Sequence, residues 1–99
     1  VELVKVSGRI DSSNASQFDN VLREVASRKN NVVLEMSGVD YISSAGLRAM
    51  IALLRECKKQ KGEVRLANPS ERVTEVLGLS GLDSLFEVYD SEAAAVGSF

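Results

Sequence analysis

The run Asp40-Tyr41-Ile42-Ser43-Ser44-Ala45-Gly46-Leu47-Arg48 holds the residues of this chain best placed to do chemistry. It follows an apolar stretch (Val32, Val33, Leu34, Met36) and leads into a helical pattern of Leu47, Met50, Ile51 and Leu54. Two adjacent hydroxyls therefore fall where a strand gives way to a helix. In an α/β domain that junction faces solvent, and the helix amino end favours negative charge. A hydroxyl there is open to a partner or a kinase, and the fold tolerates a phosphate on it. The layout is that of a switch at one of these two hydroxyls, Ser43 or Ser44. It requires no catalytic group in this chain.

Other chemistries lack their usual equipment. There is no histidine among the 99 residues, which removes the commonest general base, any Ser-His or Cys-His pair and the commonest metal ligand. Walker A, Gly-x-Gly-x-x-Gly and Cys-x-x-Cys patterns are missing as well. No enzyme activity, cofactor or metal site is expected. Twelve basic and fourteen acidic residues are mixed along the chain for a net charge of -2, with no basic patch for nucleic acid. No apolar run approaches the roughly 20 residues of a membrane span, so no membrane insertion is expected. The single cysteine, Cys57, forms no internal disulfide and fits a reducing cytoplasm, and no signal-peptide pattern opens the chain.

The elements that must position the serines follow from periodicity. Val1–Val6 reads as a strand, and Ser12-Ser13-Asn14 offers N-caps for a helix carrying Ala15, Phe18, Leu22 and Val25, widened by Val21 and Ala26. Asn31–Met36 is nearly continuously apolar, as in a strand covered on both faces. The longest helix spans about Ser44 to Lys59, with Gly62 as its stop. Glu63–Ala67 is a third strand. Asn68-Pro69 then predicts an N-cap and first helical position, with Val73, Val76, Leu77 and Leu79 on the apolar side and Gly81 at the end. Leu85–Tyr89 is a last strand, and Asp90-Ser91 starts a short alanine-rich helix. This alternation predicts one α/β domain over residues 1–99, with about four helices packed on a mostly parallel or mixed sheet of four to five strands. Such a sheet leaves open edges, so a further strand upstream of Val1 is expected.

At these residues the chain resembles the STAS domain, specifically the small anti-sigma factor antagonists of bacteria. The likeness runs from Gly8-Arg9-Ile10-Asp11, through Leu34-Glu35-Met36-Ser37-Gly38-Val39-Asp40 and the serine turn, to Leu79-Ser80-Gly81-Leu82. The resemblance implies a STAS-like fold and a partner-switching circuit. An unphosphorylated antagonist of that kind binds an anti-sigma factor that is also a serine kinase of the histidine-kinase-like ATPase fold. Phosphorylation breaks the complex, and a metal-dependent serine phosphatase reverses it. The acceptor matches Ser44. The residue before it is usually acidic in the family and here is Ser43, which keeps Ser43 open as a second acceptor. The other function such domains carry is that of an accessory subunit in a membrane transport complex.

The docking surface expected around the acceptor is the rim of Asp11, Ser12, Ser13, Asp40 and Ser43, continued by Ala45, Gly46, Leu47 and Arg48 on the helix. Asp11 and Asp40 both follow strands and are expected near the serine. Arg48 lies four residues after Ser44, hence on the same helical face. Gly46, lacking a side chain, either lets a partner approach closely or lets its helix pack on a strand.

Overall fold

Successive strand residues face opposite sides of a sheet, so an apolar pair such as Val32 and Val33 must be covered twice. The computed structural model describes residues 1–99 and meets that demand with three helices on one face of the sheet and one short helix on the other. The elements are β1 (Glu2–Ile10), α1 (Ala15–Arg28), β2 (Asn31–Ile42), α2 (Ser44–Lys59), β3 (Glu63–Ala67), α3 (Glu71–Ser80), a 3-10 turn (Leu82–Ser84), β4 (Glu87–Tyr89) and α4 (Glu92–Gly97). The four strands lie in the order β1-β2-β3-β4, and every pair is parallel. This is the α/β architecture expected from the alternation. No helix is long and apolar enough to cross a membrane.

One face carries the main core. Leu22, Val25 and Ala26 of α1, Leu47, Met50, Leu53, Leu54 and Cys57 of α2, and Val73 and Leu77 of α3 pack on Val32, Leu34, Met36, Val64 and Leu66. Each fully buried leucine or valine contributes about 1.5–3 kcal/mol relative to exposure. The other face is covered more thinly. Ala95 of α4 seats on Val33 and Ala67, and Arg65 lies over the Phe99 ring at 4.1 Å while its Nε donates to Glu87 at 2.9 Å.

Several boundaries differ from the sequence reading. The first two strands continue past their apolar stretches, to Ile10 and Ile42, because parallel pairing resumes after two register shifts, one between Lys5 and Ser7 and one between Gly8 and Arg9. Gly8 adopts φ +85°, a backbone conformation open to glycine. Ser70, not Asn68, caps α3, since its Oγ accepts from the Val73 N–H at 3.2 Å. The α2 helix, by contrast, keeps the bounds read from the sequence, with Gly62 three residues beyond its end. That glycine is required for space, since a Cβ on it would lie 1.7 Å from the Asn30 carbonyl oxygen. Val21 and Leu79 are not core residues; they are 50% and 83% exposed. Leu22 and Leu77, expected on the same helical faces, are buried as expected, so the apolar stripes are narrower than the sequence reading made them.

Candidate functional site

The pairing of Ile10 with Ile42 brings the carboxyl ends of β1 and β2 side by side, and both isoleucines point into the core. The Ser43 N–H donates to the Ile10 carbonyl at 2.8 Å, which ties the turn before α2 to the end of β1. The loop carrying Asp11, Ser12 and Ser13 therefore lies beside the one carrying Ser43 and Ser44, whereas Asp40, expected after the strand, lies within β2.

The two serines differ in role. Ser43 has extended backbone and is the N-cap of α2, its Oγ accepting from the Gly46 N–H at 3.2 Å. A helix leaves its first N–H groups without internal partners, and a serine oxygen satisfies one of them. Ser44 is the first helical residue. It is exposed, and its hydroxyl has no hydrogen-bond partner within the molecule. The hydroxyl of Ser43 is thus engaged in the cap and half-buried, while that of Ser44 is free.

The loop after β1 is held by its own polar groups. Asp11 accepts from the Ser13 N–H at 2.9 Å, from the Ser13 hydroxyl at 2.5 Å and from Arg9 Nε at 3.1 Å. The Ser13 hydroxyl, then its N–H, then Arg9 hold the Asp11 carboxyl below its ordinary value. Asn14 completes the loop by accepting from the Asp11 N–H and donating to the Arg9 carbonyl. Ser12 is exposed beside them. Asp11 is accordingly a turn-forming residue with one edge on the rim. Asp40, exposed on β2, forms no ion pair and is a free charge there.

Of the helical residues expected on the surface, Ala45 is half-buried and Arg48 is exposed, but Gly46 and Leu47 turn inward. Leu47 is only 7% exposed and belongs to the main core. A Cβ on Gly46 would lie 2.8 Å from both Ile10 Cγ2 and Ile42 Cγ1. Gly46 therefore seats α2 on β1 and β2. It offers a partner no open approach, and the rim excludes these two residues because their sides of the helix face the sheet.

Three residues absent from the expected rim enter it. Tyr41 is half-buried with the Arg9 guanidinium 4.2 Å from its ring centroid and that of Arg72, from α3, at 5.8 Å. Such contacts contribute about 0.5–1 kcal/mol when exposed. Arg9 and Tyr41 are direct cross-strand partners, a relation visible in the sequence only once the register is known. Nothing local marks Arg72 as their neighbour. No group of three His, Cys, Asp or Glu side chains is gathered here or elsewhere in the structure as a metal cage.

Comparison with known proteins agrees with this layout. The model of the STAS domain matches residues 1–95. BtrV of Bordetella bronchiseptica, named as a candidate anti-sigma factor antagonist, is 36% identical over 95 residues, covering 95% of this chain and 82% of that protein. The anti-sigma-B factor antagonist of Bacillus subtilis is 27% identical over 85 residues, covering 86% of this chain and 78% of that one. The crystal structure of an anti-sigma factor antagonist from Mycobacterium paratuberculosis superposes with a TM-score of 0.85 at 26% identity, over 97% of this chain and 82% of that one. With a parallel sheet of this order, a serine turn opening α2 and a family match spanning nearly every residue, the chain belongs to the STAS domain family.

Proposed function

We propose that this chain is an anti-sigma factor antagonist in a partner-switching circuit. Unphosphorylated, it binds an anti-sigma factor that is also a serine kinase of the histidine-kinase-like ATPase fold. Phosphorylation of Ser44 releases it, and a metal-dependent serine phosphatase restores the binding form. Residues 1–99 act as one cytoplasmic domain with no active site or cofactor of their own. The observation that carries this reading is Ser44: an exposed, unpartnered hydroxyl at the start of α2, beside a second serine whose oxygen is already used as the cap. The names of the relatives support the same role.

The switch has a simple electrostatic basis. A phosphate adds about -1.5 to -2 charges. The rim already carries Asp11 and Asp40, so a partner that tolerates these two carboxylates meets a third, larger negative charge. Like-charge contact at an interface costs several kcal/mol, and every ~1.4 kcal/mol is tenfold in affinity. The test is intact mass and fragment mapping of the protein purified from its native host. One phosphate on Ser44, with Ser44→Ala locked onto the co-purifying kinase, is the expected result. Phosphate confined to Ser43 would move the acceptor. No phosphate under any growth condition, with co-purification of a transport ATPase, would overturn the reading in favour of a transport accessory subunit.

A further inference from the structure

Five of the seven arginines are within 4.0 Å of a carboxylate: Arg9 meets Asp11, Arg23 meets Asp19, Arg28 meets Glu2 and Glu24, Arg65 meets Glu87 and Arg72 meets Glu75. The two exceptions, Arg48 and Arg55, are both on α2 and both exposed. At 100° per residue they fall within about 40° of Ser44 around the helix. Arg48 is one turn beyond Ser44, about 6 Å along the axis. Side chains on a helix lean back over the preceding turn, so that of Arg48 leans toward Ser44. An anion placed amino-terminal to a cation at this spacing is the favourable order.

We propose that the phosphate on Ser44, once present, is held by the Arg48 guanidinium within the same chain. Modification then does two things at once. It adds negative charge to the rim, and it withdraws the free cation that the unmodified rim presents to a partner. This deepens the reading of Ser44 as the acceptor and rests on it. The remaining charges on this rim are Arg9 at the end of β1 with Asp11 from the loop after it, Asp40 from β2, and Arg72 from α3, which is paired with Glu75. Arg9 is already committed to Asp11 and Tyr41, which leaves Arg48, one turn from Ser44, as the unpaired cation near it, Arg55 being two turns farther along the same face.

The test uses the full chain with phosphoserine installed at position 44 by genetic code expansion, titrated by phosphorus NMR. Arg48→Gln is expected to raise the second ionisation of the phosphate by about 0.3 pH unit, a change of about twofold in its acid constant. Arg55→Gln is the control. It lies about 16 Å from Ser44 along α2, beyond the screening length of about 8 Å at physiological salt, and is expected to leave the titration unchanged. Identical titrations for Arg48→Gln and the native phosphoprotein would overturn the proposal, as would an equal shift with Arg55→Gln. Because the phosphoserine is installed without a kinase, such a failure leaves the acceptor assignment standing. Conversely, a native phosphate found on another residue refutes that assignment without altering the titration.

Discussion

Replacing Gly46 by alanine tests the seat on which the whole rim depends. Helix propensity alone favours the change by about 1 kcal/mol, because alanine loses less backbone freedom than glycine. The structure opposes it. The new methyl would lie 2.8 Å from Ile10 Cγ2 and 2.8 Å from Ile42 Cγ1, where carbon atoms normally rest about 3.5–4.0 Å apart. Both isoleucines are core residues, 4% and 2% exposed, and they press from two adjacent strands, so neither can yield without disturbing the sheet. Overpacking of this kind costs about 1–3 kcal/mol. The net expectation is a loss of about 1 kcal/mol, or a fall in Tm of about 4–8 °C for a domain of this size. Gly78 provides the contrast. It lies in α3 with nothing within 4 Å of a Cβ, so Gly78→Ala is expected to stabilise by about 1 kcal/mol. Urea unfolding of the two variants, measured side by side, reads the difference in sign. If Gly46→Ala is as stable as Gly78→Ala, α2 does not sit on β1 and β2 as described.

Further outcomes follow from the same structure. Ser43→Ala removes the cap of α2 and is expected to cost about 1 kcal/mol in urea unfolding, whereas Ser44→Ala is expected to stay within about 0.5 kcal/mol of the native chain. The carboxyls of Asp11, Glu2 and Glu87 are held below their ordinary values, chiefly by hydrogen bonds from Ser13, Arg28 and Tyr89 respectively. Their stabilising effect is therefore full above the unfolded values of 3.8 for Asp and 4.5 for Glu, and is lost as pH falls through the lowered folded values. Unfolding curves between pH 2 and 6 are expected to show that fall, and Asp11→Asn to flatten part of it. Burial raises the Cys57 thiol above its ordinary value, helped by Glu56 and Glu63, and the side chain is fully enclosed. A thiol reagent at pH 8 is expected to label the unfolded chain and leave the native one unlabelled.

Much of the frame was legible along the chain because its causes are local. Helical periodicity, the serine turn before it and the glycine stop after it together mark α2 from about Ser44 to Lys59, and the same bounds appear in the structure. The alternation of strands and helices likewise prescribes an α/β layer with parallel strands. The Ser-Ser turn at the junction needs no more than adjacent strand and helix signals, so the acceptor candidates could be named at once.

What local pattern could not supply was every feature made by residues distant in sequence. The ends of β1 and β2 depend on pairing across about thirty residues, through Ser7-Gly8 and Ser37-Gly38, which carry no strand signal of their own. Once that pairing exists, Ile10 and Ile42 stand together and claim the space above Gly46, turning a residue of ambiguous purpose into a packing seat. The same register stacks Arg9 on Tyr41, and the docking of α3 adds Arg72. The roles of the two serines also separate only in three dimensions: helix geometry consumes the oxygen of Ser43 and leaves that of Ser44 outside. Periodicity and capping act over a few residues and can be read from a string, whereas register and packing arise when distant segments compete for the same volume.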